Sequence, residues 1–235
     1  MKAAFALLLL TTGGSAQWPG DEEIPAVAMP TLPRQVASVN GFVPKGWLLE
    51  ASAAGDLNGD QRPDAALVLH MTDPRNRLPS PGDSERRYDT NPRLLVVAFG
   101  RPSGGYQLAV ADPRLIPRLE SPSQEDPFDE LSVKAGVLGV KMHLFMSAGG
   151  WEAGGSSYSF RWQNGGFKLI GFDRDTVMRN SGETSEVSIN YLTRRKLLKK
   201  GNIGSDGQTE RWVTIPKKPL IDLTQIGDGL MFDPD

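Results

Sequence analysis

The stretch from Ser156 to Phe172 leaves this chain few folds to choose from. Tyr158, Phe160 and Trp162 alternate with Ser157, Ser159, Arg161 and Gln163. A period of two gives one apolar and one polar face only on an extended strand. Asn164-Gly165-Gly166 follows, the residue types that a tight hairpin turn with positive φ demands, and residues 167–172 return. The alternation recurs at Leu138, Val140, Met142, Leu144 and Met146, and again at Val187, Ile189 and Tyr191. Residues 65–70 read as a mostly buried strand, and residues 93–99 as a continuous apolar run bounded by Pro92 and Gly100, as in a strand covered on both faces. Residues 106–111, 131–133 and 211–215 complete a set of eight or nine strands. With 26 glycines, 18 prolines and no amphipathic helix between the strands, the expectation is an all-β chain. Its architecture is an antiparallel sandwich or a strongly curled meander sheet with few short helices. Residues 72–92 and 119–129, dense in Pro and charge, read as surface excursions.

The ends of the chain read differently. Lys2 followed by the apolar residues 3–10, with Gly14-Ser15-Ala16 before Gln17, has the pattern of a signal peptide over residues 1–16. Residues 17–41 form a Pro-rich leader with a short helix at 34–40, residues 42–215 a single β-rich domain, and residues 216–235 an irregular tail. The expected location is therefore periplasmic or secreted. The chain has no cysteine, so disulfides, thiolate metal sites and cysteine nucleophiles are excluded. A formal charge of −2, or −3 once Lys2 leaves with the leader, gives no reason to expect nucleic acid. No segment of the mature chain is apolar for long enough to span a membrane as a helix.

The most specific local pattern is Gly55-Asp56-Leu57-Asn58-Gly59-Asp60-Gln61-Arg62-Pro63-Asp64, which runs straight into the apolar strand at 65–69. Asp56, Asn58 and Asp60 stand at positions 1, 3 and 5, the Arg62 carbonyl at 7 and Asp64 at 9. Calcium takes six to eight oxygens, and acceptors at every second residue of a short loop can supply most of them. Calcium in a structural role is the expected cofactor. The competing reading is an Asp/Asn-rich turn held by its own hydrogen bonds.

This loop resembles the calcium loop of FG-GAP (integrin-type) and VCBS-like repeats, in which Asp-x-Asn/Asp-x-Asp-Gly-x-x-Asp precedes a strand. The resemblance covers about ten residues and departs at position 6, where Gln61 replaces the usual glycine of a positive-φ turn. Leu67 stands where a helical EF-hand would place its bidentate glutamate, which implies weak affinity. The pattern occurs once, so a propeller of like blades is not expected. More widely, residues 42–69 and 151–173 are similar to secreted bacterial proteins carrying a single such loop. That likeness implies no activity.

Gly149-Gly150-Trp151-Glu152-Ala153-Gly154-Gly155 frames an aromatic ring and a carboxylate with glycines, a pair suited to gripping a sugar or a peptide. Its plain reading is a hairpin connection whose Trp151 folds back on the core. Asp173-Arg174-Asp175 reads as a solvated, salt-bridged loop or, with Glu152, as the acids of a glycan hydrolase. His70 and His143 read as ordinary strand residues, and no Gly-x-Ser-x-Gly elbow is present. The basic residues at 194–200 read as a solvated face. The resulting expectation is an exported, calcium-stabilised binding or structural module with a protein or glycan partner in the envelope or exterior. The alternative is a carboxylate-dependent hydrolase.

Overall fold

The computed structural model describes residues 23–81 and 83–234. The expected signal peptide at 1–16 and leader residues 17–22 lie outside the described residues. The first half contributes β1 (Gln35–Val36), β2 (Trp47–Gly55), β3 (Asp64–Met71), β4 (Arg77–Ser80), β5 (Asp83–Asp89), β6 (Arg93–Gly100) and β7 (Tyr106–Asp112). The second contributes β8 (Phe128–Lys134), β9 (Val137–Phe145), β10 (Glu152–Gln163), β11 (Gly166–Met178), β12 (Glu183–Asn190), β13 (Arg195–Asn202) and β14 (Ser205–Thr214). Among the described residues no helix reaches seven residues. None is long and apolar enough to cross a membrane.

All pairings are antiparallel. One sheet runs β1-β7-β6-β3-β2, and the other follows chain order from β8 to β14; β4 and β5 form a separate hairpin. Asn164 (φ 52°) and Gly165 (φ 75°) both lie in the left-handed region at the β10–β11 turn. That is the geometry the Asn-Gly pair selects.

The two sheets pack face to face, as in a β-sandwich. Ala66, Val68, Leu95 and Val97 of the first sheet share a core with Val140, Tyr158, Phe160 and Phe172 of the second. The other face of β3 and β6, with Leu67, Leu69, Leu94 and Val96, is covered by Leu32 and Phe42. Burial on both faces explains why these two strands read as unbroken apolar runs.

Covering that outer face corrects the reading of the leader. In place of a helix at 34–40, β1 pairs Gln35 with Gln107, and a 3-10 turn spans Val39–Phe42. Leu32, Val36 and Phe42 thereby join the core, so residues 32–42 belong to the domain. The excursion at 72–92 contains β4 and β5. Asp173-Arg174-Asp175 is the middle of β11 and not a loop. The basic run at 195–200 is β13, a strand missing from the expected set.

The tail is irregular apart from a 3-10 turn at Leu223–Gln225, closed by a reciprocal capping box between Asp222 and Gln225. It also closes the sandwich: Leu223, Ile226 and Phe232 are buried. The Tyr158 hydroxyl donates to the Gly229 carbonyl, and the Arg174 guanidinium to the carbonyls of Leu230 and Phe232.

Candidate functional site

The loop joining β2 to β3 is built on its own acceptors. Asp56 takes N–H groups from Gly59 and Asp60 on Oδ1 (2.7 and 3.2 Å) and from Gln61 on Oδ2 (2.8 Å). Asn58 Oδ1 accepts from Asp60 N (3.0 Å), and Asp60 Oδ1 from Arg62 N (2.9 Å). Asp60 Oδ2 receives the Asn58 amide (3.1 Å) and the Arg62 guanidinium (2.5 Å). Partial desolvation pushes the Asp60 carboxyl up, but these donors and the Arg62 charge outweigh it and hold it below the usual range.

Asp64 does a different job. Fully buried at the start of β3, it accepts from Leu57 N (2.8 Å) and Asn58 N (3.2 Å) on Oδ2. Its Oδ1 accepts from Gly100 N (2.8 Å) at the end of β6. One carboxylate thus ties the loop to two strands. Burial pushes its pKa up despite the three N–H donors. Gly100 is the docking point: a Cβ there would lie 2.5 Å from the Pro63 carbonyl. Arg62 Nε reaches the Gly100 carbonyl from the same side (3.4 Å). Gln61, at the position where the resemblance expects glycine, takes φ 63°. The turn keeps its left-handed shape with a side chain present, at a steric cost of roughly 1–2 kcal/mol.

The fit of a cation follows from counting acceptors. An ionised carboxylate offers about four acceptor positions and an amide oxygen two. After the bonds above, Asp56, Asn58, Asp60 and Asp64 each retain one, and the Arg62 carbonyl adds another. Five protein oxygens, completed by water, match the oxygen ligation of calcium in chemical type. Among the described residues, however, no three acidic or histidine groups converge as a metal cluster. Closing on an ion requires the carboxylates to draw together.

The glycine-framed loop before β10 departs from its plain reading. Trp151 is 61% exposed and does not fold back on the core. Arg179 braces the loop: its backbone N–H donates to the Trp151 carbonyl (2.8 Å), and its guanidinium to the carbonyls of Gly150 (2.7 Å) and Met146. The guanidinium also lies 4.6 Å from the centre of the Phe145 ring, a cation–π distance. Glu152 is exposed at the start of β10. Asp173 and Asp175 stand on the outer face of β11, exposed and flanking the inward Arg174. The structure does not gather them with Glu152 into the described cavities.

One charged cluster escaped the sequence reading. A β-bulge between Leu49 and Ala51 takes Glu50 out of the β2–β3 register. Its carboxylate receives Arg93 Nε (2.6 Å) and Nη2 (2.7 Å), and His70 Nδ1 lies 3.5 Å away. Arg93, 4% exposed, also bonds Asp126 (2.5 Å) ahead of β8 and so links the two sheets. Burial pushes the Glu50 carboxyl up, but bonds and charge from Arg93 and His70 outweigh it and bring it down to about 2. A charged residue after Trp47-Leu48-Leu49 was the available signal. His143 sits 3.5 Å from Glu125 on the surface.

Compared with protein-family models, with curated proteins and with solved structures, the chain matches none of them.

Proposed function

We propose that this chain is an exported β-sandwich module stabilised by calcium at the 56–64 loop, serving to bind a protein or glycan partner. The observation that carries the reading is the loop itself. Asp56, Asn58, Asp60 and Asp64 each keep an unspent acceptor on a framework already folded by backbone N–H groups, and Asp64 anchors that framework to β6. An ion there would be held by those four side chains and the Arg62 carbonyl, and would offset the mutual repulsion of three carboxylates. Its role is structural, because the loop closes the end of β2, β3 and β6 rather than a cavity. Trp151 on its braced loop supplies the partner surface: large, rigid and apolar, it is the type of residue that anchors interfaces. The alternative expectation of a hydrolase draws no support from Asp173 and Asp175, which lie on an open sheet face.

Thermal unfolding in calcium against chelator tests the reading. A dissociation constant on the order of 10⁻⁴–10⁻³ M fits a loop of this ligand number. At 10 mM calcium, linkage then contributes roughly 1.4–2.7 kcal/mol. For a domain of this size that raises the midpoint by about 3–10 °C. An unchanged midpoint, or an equal rise in Asp56→Ala/Asp60→Ala protein, would sink the proposal.

A further inference from the structure

A second site lies against the edge of the inter-sheet core, beside the segment that leaves β14. The chain there forms a strap over residues 215–221. At one end Ile215 N donates to the Arg194 carbonyl (3.0 Å), and at the other Leu169 N donates to the Ile221 carbonyl (2.8 Å). Lys168 and Asp222 lock the second end with an ion pair at 3.0 Å. Pro216 and Pro219 stiffen the span by fixing φ. Beneath it is a cavity of about 580 Å³, floored by Leu169 and walled by Tyr191, Ile215, Leu220 and Ile221. That volume falls among those of small-molecule sites, which combine apolar walls with a few polar groups.

The charges at its rim are three cations to one acid. Arg194, Lys217 and Lys218 line the cavity, and no ion pair involves them among the described residues. The one acid lining it, Asp233, is already engaged in an interaction of its own. The backbone of Arg194 is held by a left-handed turn (φ 57°) and by the strap bonded to its carbonyl. Leu192, 48% exposed, adds an apolar lip. An apolar chamber behind three uncommitted cations is complementary to a ligand with a hydrocarbon body and a single anionic head.

We propose that this cavity binds a fatty-acid carboxylate, with the chain under the strap and the head at Arg194, Lys217 and Lys218. The site is independent of the calcium loop and of Trp151. Within the basic run, Arg195 stacks 4.2 Å over Trp212 and Lys199 pairs with Glu186 at 2.8 Å, while Arg194, in the turn before β13, lines the cavity.

The test is calorimetric titration of the mature chain with dodecanoate and tetradecanoate below their micellar concentrations, beside their methyl esters. The expected result is saturable binding at one site, about fourfold tighter per added methylene. The methyl esters should bind at least tenfold more weakly. Lys217→Ala/Lys218→Ala, both exposed and outside the core, should weaken the carboxylate about tenfold while leaving the ester and the unfolding midpoint unchanged. No saturable binding, equal binding of acid and ester, or binding only to vesicles of anionic phospholipid would each overturn the proposal.

Discussion

Replacing Glu50 with Gln removes the charge from a partner of Arg93 while keeping its shape. In the native protein Arg93 is nearly fully buried and shared between Glu50 and Asp126. The Glu50 carboxyl is lowered from its ordinary 4.5 to about 2. At 1.36 kcal/mol per unit, that difference is an upper bound of about 3 kcal/mol; Glu50 is partly exposed, and solvent screening cuts its contribution to about 1–2 kcal/mol. Because the folded-state value is depressed, this contribution is fully present above the unfolded value of 4.5. It is lost as the pH falls from 4.5 through 2. Only Arg93 of the pair is fully buried and Asp126 retains part of its compensation, so about 1–2 kcal/mol is the expected loss at neutral pH. Urea unfolding of wild type and Glu50→Gln at pH 7 and at pH 2.5 measures it. The difference between the two proteins should be about 1–2 kcal/mol at pH 7 and under about 0.5 kcal/mol at pH 2.5, since wild-type Glu50 is then losing its charge advantage. Other carboxylates titrate in both proteins and cancel in that difference. A loss below about 0.5 kcal/mol at pH 7, or an equal loss at both pH values, would refute the assignment of Glu50 as a charged partner of buried Arg93.

Three other substitutions bear on the loop and the surface. Gln61→Gly should raise unfolding stability by about 1 kcal/mol, because it relieves a left-handed side chain and returns only part of that gain as backbone entropy. Asp64→Ala leaves the N–H groups of Leu57, Asn58 and Gly100 without their acceptor. It should cost roughly 2–4 kcal/mol in urea unfolding, with hydrogen exchange accelerated first at those three amides. Trp151→Ala should change stability by less than about 0.5 kcal/mol, as an exposed site does. The same variant should lose binding of the proposed protein or glycan partner, and undiminished binding would remove Trp151 from the proposed surface.

The β10–β11 hairpin was legible because strict alternation and Asn164-Gly165 specify strand, face and turn together. The run at 65–69 was legible as a mostly buried strand, and that at 94–99 as a strand buried on both sides. What buries their outer face was not, since Leu32, Val36 and Phe42 are scattered apolar residues without periodicity and act only after the chain has folded back. Leu223, Ile226 and Phe232 escaped the reading of the tail for the same reason. Strand β13 was hidden because Arg195, Lys196, Lys199 and Lys200 place charge on both of its faces. Lys196 is nonetheless buried. In the candidate loop, acceptor spacing fixed the positions of Asp56, Asn58 and Asp60. It could not show that Asp64 serves the amides of three residues, because Gly100 lies 36 residues away. The strapped cavity joins residues from β11, the β12–β13 turn and the tail, and no local pattern announces it.

The proposed calcium ion at the 56–64 loop is tested by isothermal titration of chelator-treated protein with calcium chloride. One site per chain is expected, with a dissociation constant on the order of 10⁻⁴–10⁻³ M, abolished in Asp56→Ala/Asp60→Ala. Heat no greater than dilution across that range, in protein that unfolds cooperatively, would contradict it and leave the loop as a turn closed by its own amides and Arg62.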